Sequence, residues 1–168
     1  MNPEEKNQRW AAVKARITDN KGLSRLLHLW RMQGHRIVFT NGCFDLLHLG
    51  HVEYLAKAAS MGNKLVVGLN SDGSVRKLKG VNRPIQDLES RAHILASLAF
   101  VDVVVPFEED TPELLIEQVK PDILVKGVDW APESIVGYNF VRGYGGQVLS
   151  IPLVEGRSTT NIEMKIKS

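Results

Sequence analysis

The chain has 168 residues, of which 43% are hydrophobic, 24% charged and 7% aromatic, a composition typical of a soluble globular protein. A chain of this length can bury about 70% of its unfolded surface within one domain. The net charge of +2 gives no reason to expect a nucleic acid or a membrane surface as a partner, and the single cysteine excludes an internal disulfide and a cysteine metal cage. The start shows no secretion signal and no apolar run is long enough to span a membrane, so we expect a cytoplasmic protein.

The first 34 residues predict two helices. Residues 3–16 form a polar segment, and residues 23–32 (LSRLLHLWRM) form an amphipathic one that stops at Gly34. We assign residues 1–34 to an N-terminal helical extension and residues 35–168 to the domain that follows, the two forming one globular unit. The extension is expected to cover a sheet edge or a partner subunit, and the amphipathic segment suggests a homodimer.

Residues 36–51, RIVFTNGCFDLLHLGH, are the stretch around which the rest of the chain is organised. Residues 37–39 are a short apolar run rich in β-formers, which predicts a buried strand. Asn41 and Gly42 end the strand, and a helix begins at Gly50. The stretch therefore predicts a strand, a glycine turn and a helix in succession.

His48 and His51 lie at the start of this helix. They are three residues apart, so within the first helical turn they face the same way. Gly50 between them has no side chain, which lets a phosphate approach backbone N–H groups that have no partner inside the helix. Helix N-termini bind anions through these groups and through the helix dipole. The stretch therefore predicts a site for the phosphates of a nucleotide.

Strands and helices alternate along the remaining chain. Ser71 is a turn or helix-cap residue, the basic segment 75–84 is expected to be a loop, and Asp87 and Thr111 are expected to cap helices. The predicted strands are 37–39, 64–70, 102–107, 122–127 and 147–152, and the predicted helices after the one at Gly50 are 87–100, 112–120, 132–141 and a short last one capped by Ser158 or Thr159.

This alternation predicts an α/β fold. The strands are continuously apolar and no repeat or linker interrupts them, which indicates a Rossmann-like, doubly wound, parallel five-stranded sheet with helices on both faces. In such a sheet ligands bind outside the carboxyl ends of the strands, where the strand order switches. Polar residues follow four of the predicted strands, at 40–41, 70–72, 126–127 and 158–160, so we expect them at this edge.

Several common catalytic signatures do not occur in the sequence. It contains no Walker sequence and no G-x-G-x-x-G, and neither H-E-x-x-H nor G-x-S-x-G is present. These absences give no support to P-loop, dinucleotide-binding, zinc hydrolase or serine hydrolase chemistry.

Six separated motifs resemble the cytidylyltransferase-like nucleotidyltransferase superfamily. They are TNGCFDLLHLGHVEYL, GLNSDGSVRKLKG, the RP pair at 83–84, VPFEEDTP, PDILVKGVDW and GRSTTNI. Within the superfamily the chain is most similar to the heptose 1-phosphate adenylyltransferase domains of bacterial ADP-heptose synthesis. In many bacteria that domain is fused behind a sugar kinase, and the sequence is expected to be the free-standing form. The resemblance implies that ATP and a sugar 1-phosphate react to give a nucleotide sugar and pyrophosphate, for lipopolysaccharide or another heptose-containing glycan.

The resemblance also implies roles for individual residues. His48 and His51 match histidines that contact the triphosphate, and Lys77 and Lys79 match a basic loop that approaches the phosphates. The resemblance leaves open whether the histidines act as neutral donors or as cations, and whether Arg157 contacts a phosphate or is exposed. The remaining expected nucleotide contacts are Thr40, Asn41, Gly42, Phe44, Gly50, Lys126, Gly127, Asp129, Ser158, Thr159 and Thr160, and the expected acceptor contacts are Asp45, Asn70, Asp72 and Arg91.

The expected cofactor is Mg²⁺, which would enter with ATP and needs no dedicated metal cage in the sequence. Two alternatives stay open at this point. One is the same chemistry with another acceptor, such as glycerol 3-phosphate with CTP or FMN with ATP. The other is a nucleotide-binding domain without catalysis, which the presence of His48, His51 and Lys79 argues against.

Overall fold

The computed structural model describes residues 7–127 and 131–152 together with Thr159, Ile162 and Lys165. At its centre lies a five-stranded sheet in the order β3-β2-β1-β4-β5, and every pair of neighbouring strands is parallel. This sheet confirms the predicted fold class. The strands are β1 Ile37–Gly42, β2 Lys64–Asn70, β3 Val103–Phe107, β4 Ile123–Lys126 and β5 Gln147–Ser150.

Helices cover both faces of the sheet. None of the helices in the described ranges is long and apolar enough to cross a membrane. The helices are α1 Gln8–Lys14, α2 Asn20–Met32, α3 Leu49–Ala59, α4 Asp72–Lys79, α5 Leu88–Ala96, α6 Glu113–Val119 and α7 Tyr138–Gly143, with a 3-10 turn at Pro132–Ser134.

The core is divided into two layers by the sheet, because successive side chains of a strand point to opposite faces. In β1, Ile37 and Phe39 pack in the layer formed with α2, α6 and α7. Val38 packs in the other layer, with Tyr54 and Leu55 of α3 and with α5. The strands are buried on both faces, which explains their continuously apolar sequences.

The segment before β1 is part of this core. Leu23, Leu27 and Trp30 of α2 are buried in the first layer, so the apolar face of the predicted amphipathic segment is occupied by the chain's own sheet. That face therefore gives no support to the predicted homodimer. Ahead of α2, Ile17 forms a parallel bridge with Val104, so the N-terminal segment covers the β3 edge of the sheet as predicted.

The prediction of a loop over residues 75–84 is wrong for its first half, because α4 runs to Lys79. The Ser71 side chain accepts a hydrogen bond from the Ser74 backbone N–H and thereby starts this helix, and Val75 is buried on its inner side. The basic residues in its last turn are favourable there, since they oppose the negative end of the helix dipole. Composition alone therefore misidentified a short helix as a loop.

Two smaller predictions also differ from the structure. The helix expected over 132–141 is a 3-10 turn followed by α7, because Gly137 between them has a positive φ of 88° that a continuous helix does not allow. Pro112, and not Thr111, is the N-cap of α6. The predicted cap of α5 is confirmed, since the Asp87 carboxylate accepts from the Ser90 backbone N–H at 2.8 Å.

Candidate active site at the carboxyl edge of the sheet

The strand order switches between β1 and β4, and the space beyond the last paired residues of these two strands is called the crevice below. β1 pairs with β2 along its whole length, but it pairs with β4 only at Val38 and Phe39. Beyond these two residues the backbones of β1 and β4 are no longer joined by ladder pairing. This is the place where the fold predicts a ligand.

Side chains of β1 and β4 are joined by a hydrogen bond at the crevice. The Lys126 ammonium at the end of β4 donates to the Asn41 side-chain oxygen at 2.8 Å and lies 3.3 Å from the Asn41 carbonyl. Burial lowers the pKa of Lys126. Beneath them the Tyr54 hydroxyl lies 2.5 Å from the Thr40 hydroxyl and donates to the Val125 carbonyl at 3.2 Å. Thr40, predicted to touch the nucleotide, is fully buried and serves this contact.

The two histidines lie side by side at the start of α3. His48 is the N-cap residue, with extended backbone and no side-chain capping hydrogen bond, and His51 lies in the first turn. Their rings stack with centroids 3.9 Å apart and planes 24° apart. Both imidazoles therefore lie at the helix N-terminus, where the first-turn amides of α3 favour an anion.

His51 is neutral at physiological pH. Burial lowers its pKa to about 4, and the nearby charges of His48 and Lys79 act in the same direction, against a backbone hydrogen bond at Leu46. A neutral imidazole can still donate a hydrogen bond to a phosphate oxygen. The structure thus favours a neutral His51 ring, and its role as a donor to a phosphate stays a prediction.

Phe44 fixes the ring of His51. Its ring meets the His51 ring edge-on, with centroids 5.3 Å apart. Its backbone has a φ of +44°, in the left-handed region, which costs on the order of 1–3 kcal/mol for a residue other than glycine. Gly42 leaves room for the ring, since a Cβ there would lie 3.0 Å from it. In the structure Phe44 supports His51, and its predicted contact with the nucleotide stays a prediction.

The two lysines of α4 point to different places. They are two residues apart, and residues at that spacing do not face each other on a helix. The charge of Lys79 lowers the pKa of both His51 and Cys43, so Lys79 lies on the side of the histidines. The Lys77 ammonium instead pairs with the exposed Asp110 carboxylate at 2.8 Å. Of the two predicted catalytic lysines, the structure brings only Lys79 towards the crevice.

Asp45 and Arg91, both predicted acceptor contacts, are engaged with the protein. The Asp45 carboxylate is 1% exposed and accepts bonds from the Arg83 guanidinium and from the backbone N–H groups of Ile85 and Gln86. Burial favours a raised pKa for Asp45, but these three hydrogen bonds lower the pKa below its usual range. A contact with the acceptor stays a prediction, and in this structure Asp45 anchors the segment before α5.

Arg91 on α5 is fully buried. Its guanidinium donates to the Cys43 carbonyl at 2.6 Å, to the Asn70 carbonyl at 2.9 Å and to the Asp72 carboxylate at 2.7 Å. One side chain thus joins the loop after β1, the end of β2 and the start of α4. Its acceptor contact also stays a prediction, and the structure gives it a positioning role.

Asn70 and Asp72, the other predicted acceptor residues, lie at the end of β2. The Asn70 amide donates to the Ser74 hydroxyl at 3.0 Å and is 4% exposed. Asp72 is partly exposed in the first turn of α4. These two residues therefore lie on the β2 side of the edge, away from the switch point.

Sequence reasoning missed three residues that organise the site, namely Tyr54, Arg83 and Cys43. Tyr54 follows His51 by three positions on α3, a spacing that could have placed it beside the crevice. Arg83 had no visible partner, because Asp45 is 38 residues away in the chain. Cys43 contributes its backbone carbonyl, a group that no sequence motif reveals.

Four predicted residues lie outside the described part of the chain: Asp129, Ser158, Thr160 and Arg157. Thr159 is described, and it is helical and partly buried. Gly50 is buried in the first turn of α3, and Gly127 follows Lys126 directly. Within the described ranges no three His, Cys, Asp or Glu side chains are placed to hold a metal ion.

Comparison with known proteins links the site to a family. The cytidylyltransferase-like family model matches residues 39–160. The bifunctional protein HldE of Geobacter metallireducens is 57% identical over 152 residues, which are 90% of this chain and 31% of that protein. HldE of Caulobacter vibrioides is 50% identical over 153 residues, 91% of this chain and 32% of that protein. The chain thus spans about a third of the length of these curated relatives.

Two solved structures are similar to this one. The lipopolysaccharide core biosynthesis protein of Thermoplasma volcanium is 30% identical with a TM-score of 0.61, over 74% of this chain and all of that one. The pantoate-beta-alanine ligase of Francisella tularensis is 17% identical with a TM-score of 0.59, over 90% of this chain and 76% of that one. The second likeness concerns the fold alone.

Proposed function

The chain belongs to the cytidylyltransferase-like family of nucleotidyltransferases, and we propose that it transfers AMP from ATP to a heptose 1-phosphate, giving ADP-heptose and pyrophosphate. The observation that carries the proposal is the stacked pair His48 and His51 at the start of α3, beside the crevice between β1 and β4. This part of the carboxyl edge of the sheet suits a triphosphate, because helix amides, imidazole donors and the ammonium of Lys79 lie close together there.

The reaction needs no strong base. An oxygen of the sugar phosphate, already an anion at neutral pH, attacks the α-phosphorus of ATP. The bond from that phosphorus to the bridging oxygen breaks, and pyrophosphate leaves with the electron pair. The protein's contribution is then to position the two anions and to stabilise the charge that develops on the phosphates. Neutral His51 and cationic Lys79 are suited to these two tasks.

Mg²⁺ fits this arrangement as a companion of ATP. It prefers oxygen ligands and keeps several waters, so it can be held mainly by the triphosphate. When bound, it would neutralise charge on the phosphates. The described residues that face the crevice are amide and imidazole donors and cations, which complement a triphosphate that brings its own metal.

The choice of acceptor rests on similarity. The motifs TNGCFDLLHLGH and GRSTTNI favour heptose, and the matched relatives are HldE proteins and a lipopolysaccharide core biosynthesis protein. The proposed pathway is accordingly bacterial lipopolysaccharide or another heptose-containing glycan, in the cytoplasm. The predicted homodimer stays a prediction, which the mass of the protein in solution would test.

The test is pyrophosphate release from ATP and Mg²⁺ with each anomer of D-glycero-D-manno-heptose 1-phosphate, beside CTP and GTP. We expect turnover with ATP and one anomer. His48→Ala is expected to lower the rate about 10²–10³-fold, as for the loss of one transition-state hydrogen-bond donor. Turnover with CTP and glycerol 3-phosphate, or with ATP and FMN, but not with a heptose 1-phosphate, would show that the proposed acceptor is wrong. ATP binding without any pyrophosphate release would overturn the catalytic proposal.

A further inference from the structure

Side chains continue the register between β1 and β4 where the backbone ladder of these two strands ends. In that register the first two residues of β1 beyond the ladder, Thr40 and Asn41, lie opposite Val125 and Lys126. Each of these two pairs is joined by side-chain hydrogen bonds, the first through a residue of α3 and the second through Lys126 itself. The spacing of the two strands at the base of the crevice is therefore set by side chains.

Tyr54 of α3 joins the first pair with a single oxygen atom. Its hydroxyl donates to the Val125 carbonyl at 3.2 Å and lies 2.5 Å from the Thr40 hydroxyl. Because a tyrosine hydroxyl has only one proton, Thr40 is the donor in the second of these bonds. Tyr54 is 5% exposed and Thr40 is fully buried, so both bonds lie away from solvent. One side chain of α3 is thereby hydrogen-bonded to both strands that flank the crevice.

The histidine pair lies on the same helix as this hydroxyl. His51 precedes Tyr54 by three positions, and residues at that spacing lie on one face of a helix. Apolar contacts of α3 with the sheet, such as those of the buried Leu55, have no preferred direction. A hydrogen bond has a preferred distance and angle, so it restricts the helix from sliding or turning on the sheet. The Tyr54 hydroxyl therefore fixes the start of α3 relative to β1 and β4.

We propose that Tyr54 is a positioning residue, which through Thr40 and Val125 holds the stacked imidazoles of His48 and His51 in the place that AMP transfer requires. The inference rests on the proposed function. In this role Tyr54 acts through α3 and not on the nucleotide. A displacement of about 1 Å at a catalytic group can cost about 10²-fold in rate, so a contact that fixes the helix contributes to the rate without touching the substrate.

The first test compares Tyr54→Phe with Tyr144→Phe. The Tyr144 hydroxyl also donates to a backbone carbonyl, that of Pro121 at 2.7 Å, but at the amino ends of the strands. Both variants lose a tyrosine hydrogen bond and should lower the midpoint of chemical denaturation. Only Tyr54→Phe should lower kcat for pyrophosphate release, by about tenfold or more, with a smaller change in KM for ATP. Equal kcat values for the two variants overturn the inference, provided that the wild type turns over.

The second test uses the partner hydroxyl on β1. Thr40→Val removes the donor and should lower kcat as Tyr54→Phe does, whereas Thr40→Ser retains the hydroxyl and should retain most of the wild-type rate. The two hydroxyls act as one contact, so the double variant Tyr54→Phe with Thr40→Val should be no slower than the slower single variant. A double variant whose loss equals the product of the two single losses contradicts the inference.

The third test measures the position of the imidazoles without using the reaction. The proton resonances of His48 and His51 depend on their stacking, and the ring of residue 54 is retained in Tyr54→Phe. We expect these resonances to shift in Tyr54→Phe and to stay at their wild-type values in Tyr144→Phe. If the wild type releases no pyrophosphate, the proposed function fails, and this measurement still decides on Tyr54: unchanged histidine resonances in Tyr54→Phe overturn its positioning role.

Discussion

The carboxyl edge of the sheet has two regions with different chemistry. At the ends of β1 and β4 the described side chains include two imidazoles and the ammonium group of Lys126, which donates to Asn41. At the ends of β2 and β3 a depression is lined by charged groups of both signs, Asp72, Glu108 and Lys77, and Asp72 pairs with Arg91. The first region suits a polyanion, whereas the second carries charges of both signs, of which Asp72 is paired within the protein. One edge of one sheet can thus present two chemically distinct regions, because each strand end is followed by its own segment of chain.

The Arg91 guanidinium connects the two regions by hydrogen bonds. Replacing Arg91 should therefore have the largest effect on the free energy of unfolding. Arg91→Met leaves the Asp72 carboxylate and three backbone carbonyls without their donor, so we expect a loss of about 3–5 kcal/mol in the free energy of unfolding. Chemical denaturation measures this. Arg25→Met, at an exposed position of α2, is the control and should stay within about 0.5 kcal/mol of the wild type. If Arg91→Met lowers the free energy of unfolding by less than about 1 kcal/mol, the hydrogen bonds of Arg91 do not couple the two regions.

Replacing His51 tests the nucleotide region without changing the other region. His51→Ala should lower the rate of pyrophosphate release by about 10²–10³-fold, because a transition-state donor is removed. His28→Ala, at an exposed position of α2, should leave the rate unchanged. Equal rates for His51→Ala and wild type would show that the stacked pair does not act on the phosphates.

The neutrality of His51 should be visible in the pH dependence of stability. Its pKa falls from about 6.5 to about 4 on folding, so between these values the unfolded chain binds a proton that the folded chain does not. Stability should therefore decrease as the pH is lowered from 6.5 towards 4. His51→Gln should show a smaller decrease over the same window in thermal denaturation. Identical pH profiles would mean that folding does not lower the pKa of His51.

Replacing each of the two lysines of α4 tests which of them belongs to the nucleotide region. Lys79→Met should reduce the rate of pyrophosphate release at least tenfold more than Lys77→Met, since only Lys79 influences His51. Lys77→Met removes an exposed ion pair with Asp110 and should change the free energy of unfolding by less than about 0.5 kcal/mol. Similar rate losses in both variants would place both lysines at the phosphates.

The sequence by itself determined the elements that depend on neighbouring residues. Continuously apolar runs predicted all five strands, and capping side chains such as Asp87 marked helix starts. The spacing of His48 and His51 predicted that they face the same way, since a helical turn brings residues three apart together. The parallel sheet followed from the alternation of strands and helices.

Only the tertiary structure decided which distant residues meet. Arg91 reaches a carbonyl 48 residues away, and the strand order places the ends of β2 and β3 beside one another to form the depression with Glu108. The side on which Lys77 and Lys79 lie followed from α4 being a helix, which its composition did not reveal. Local patterns fix local backbone, whereas contacts between separated segments arise from packing, and packing is a property of the folded chain as a whole.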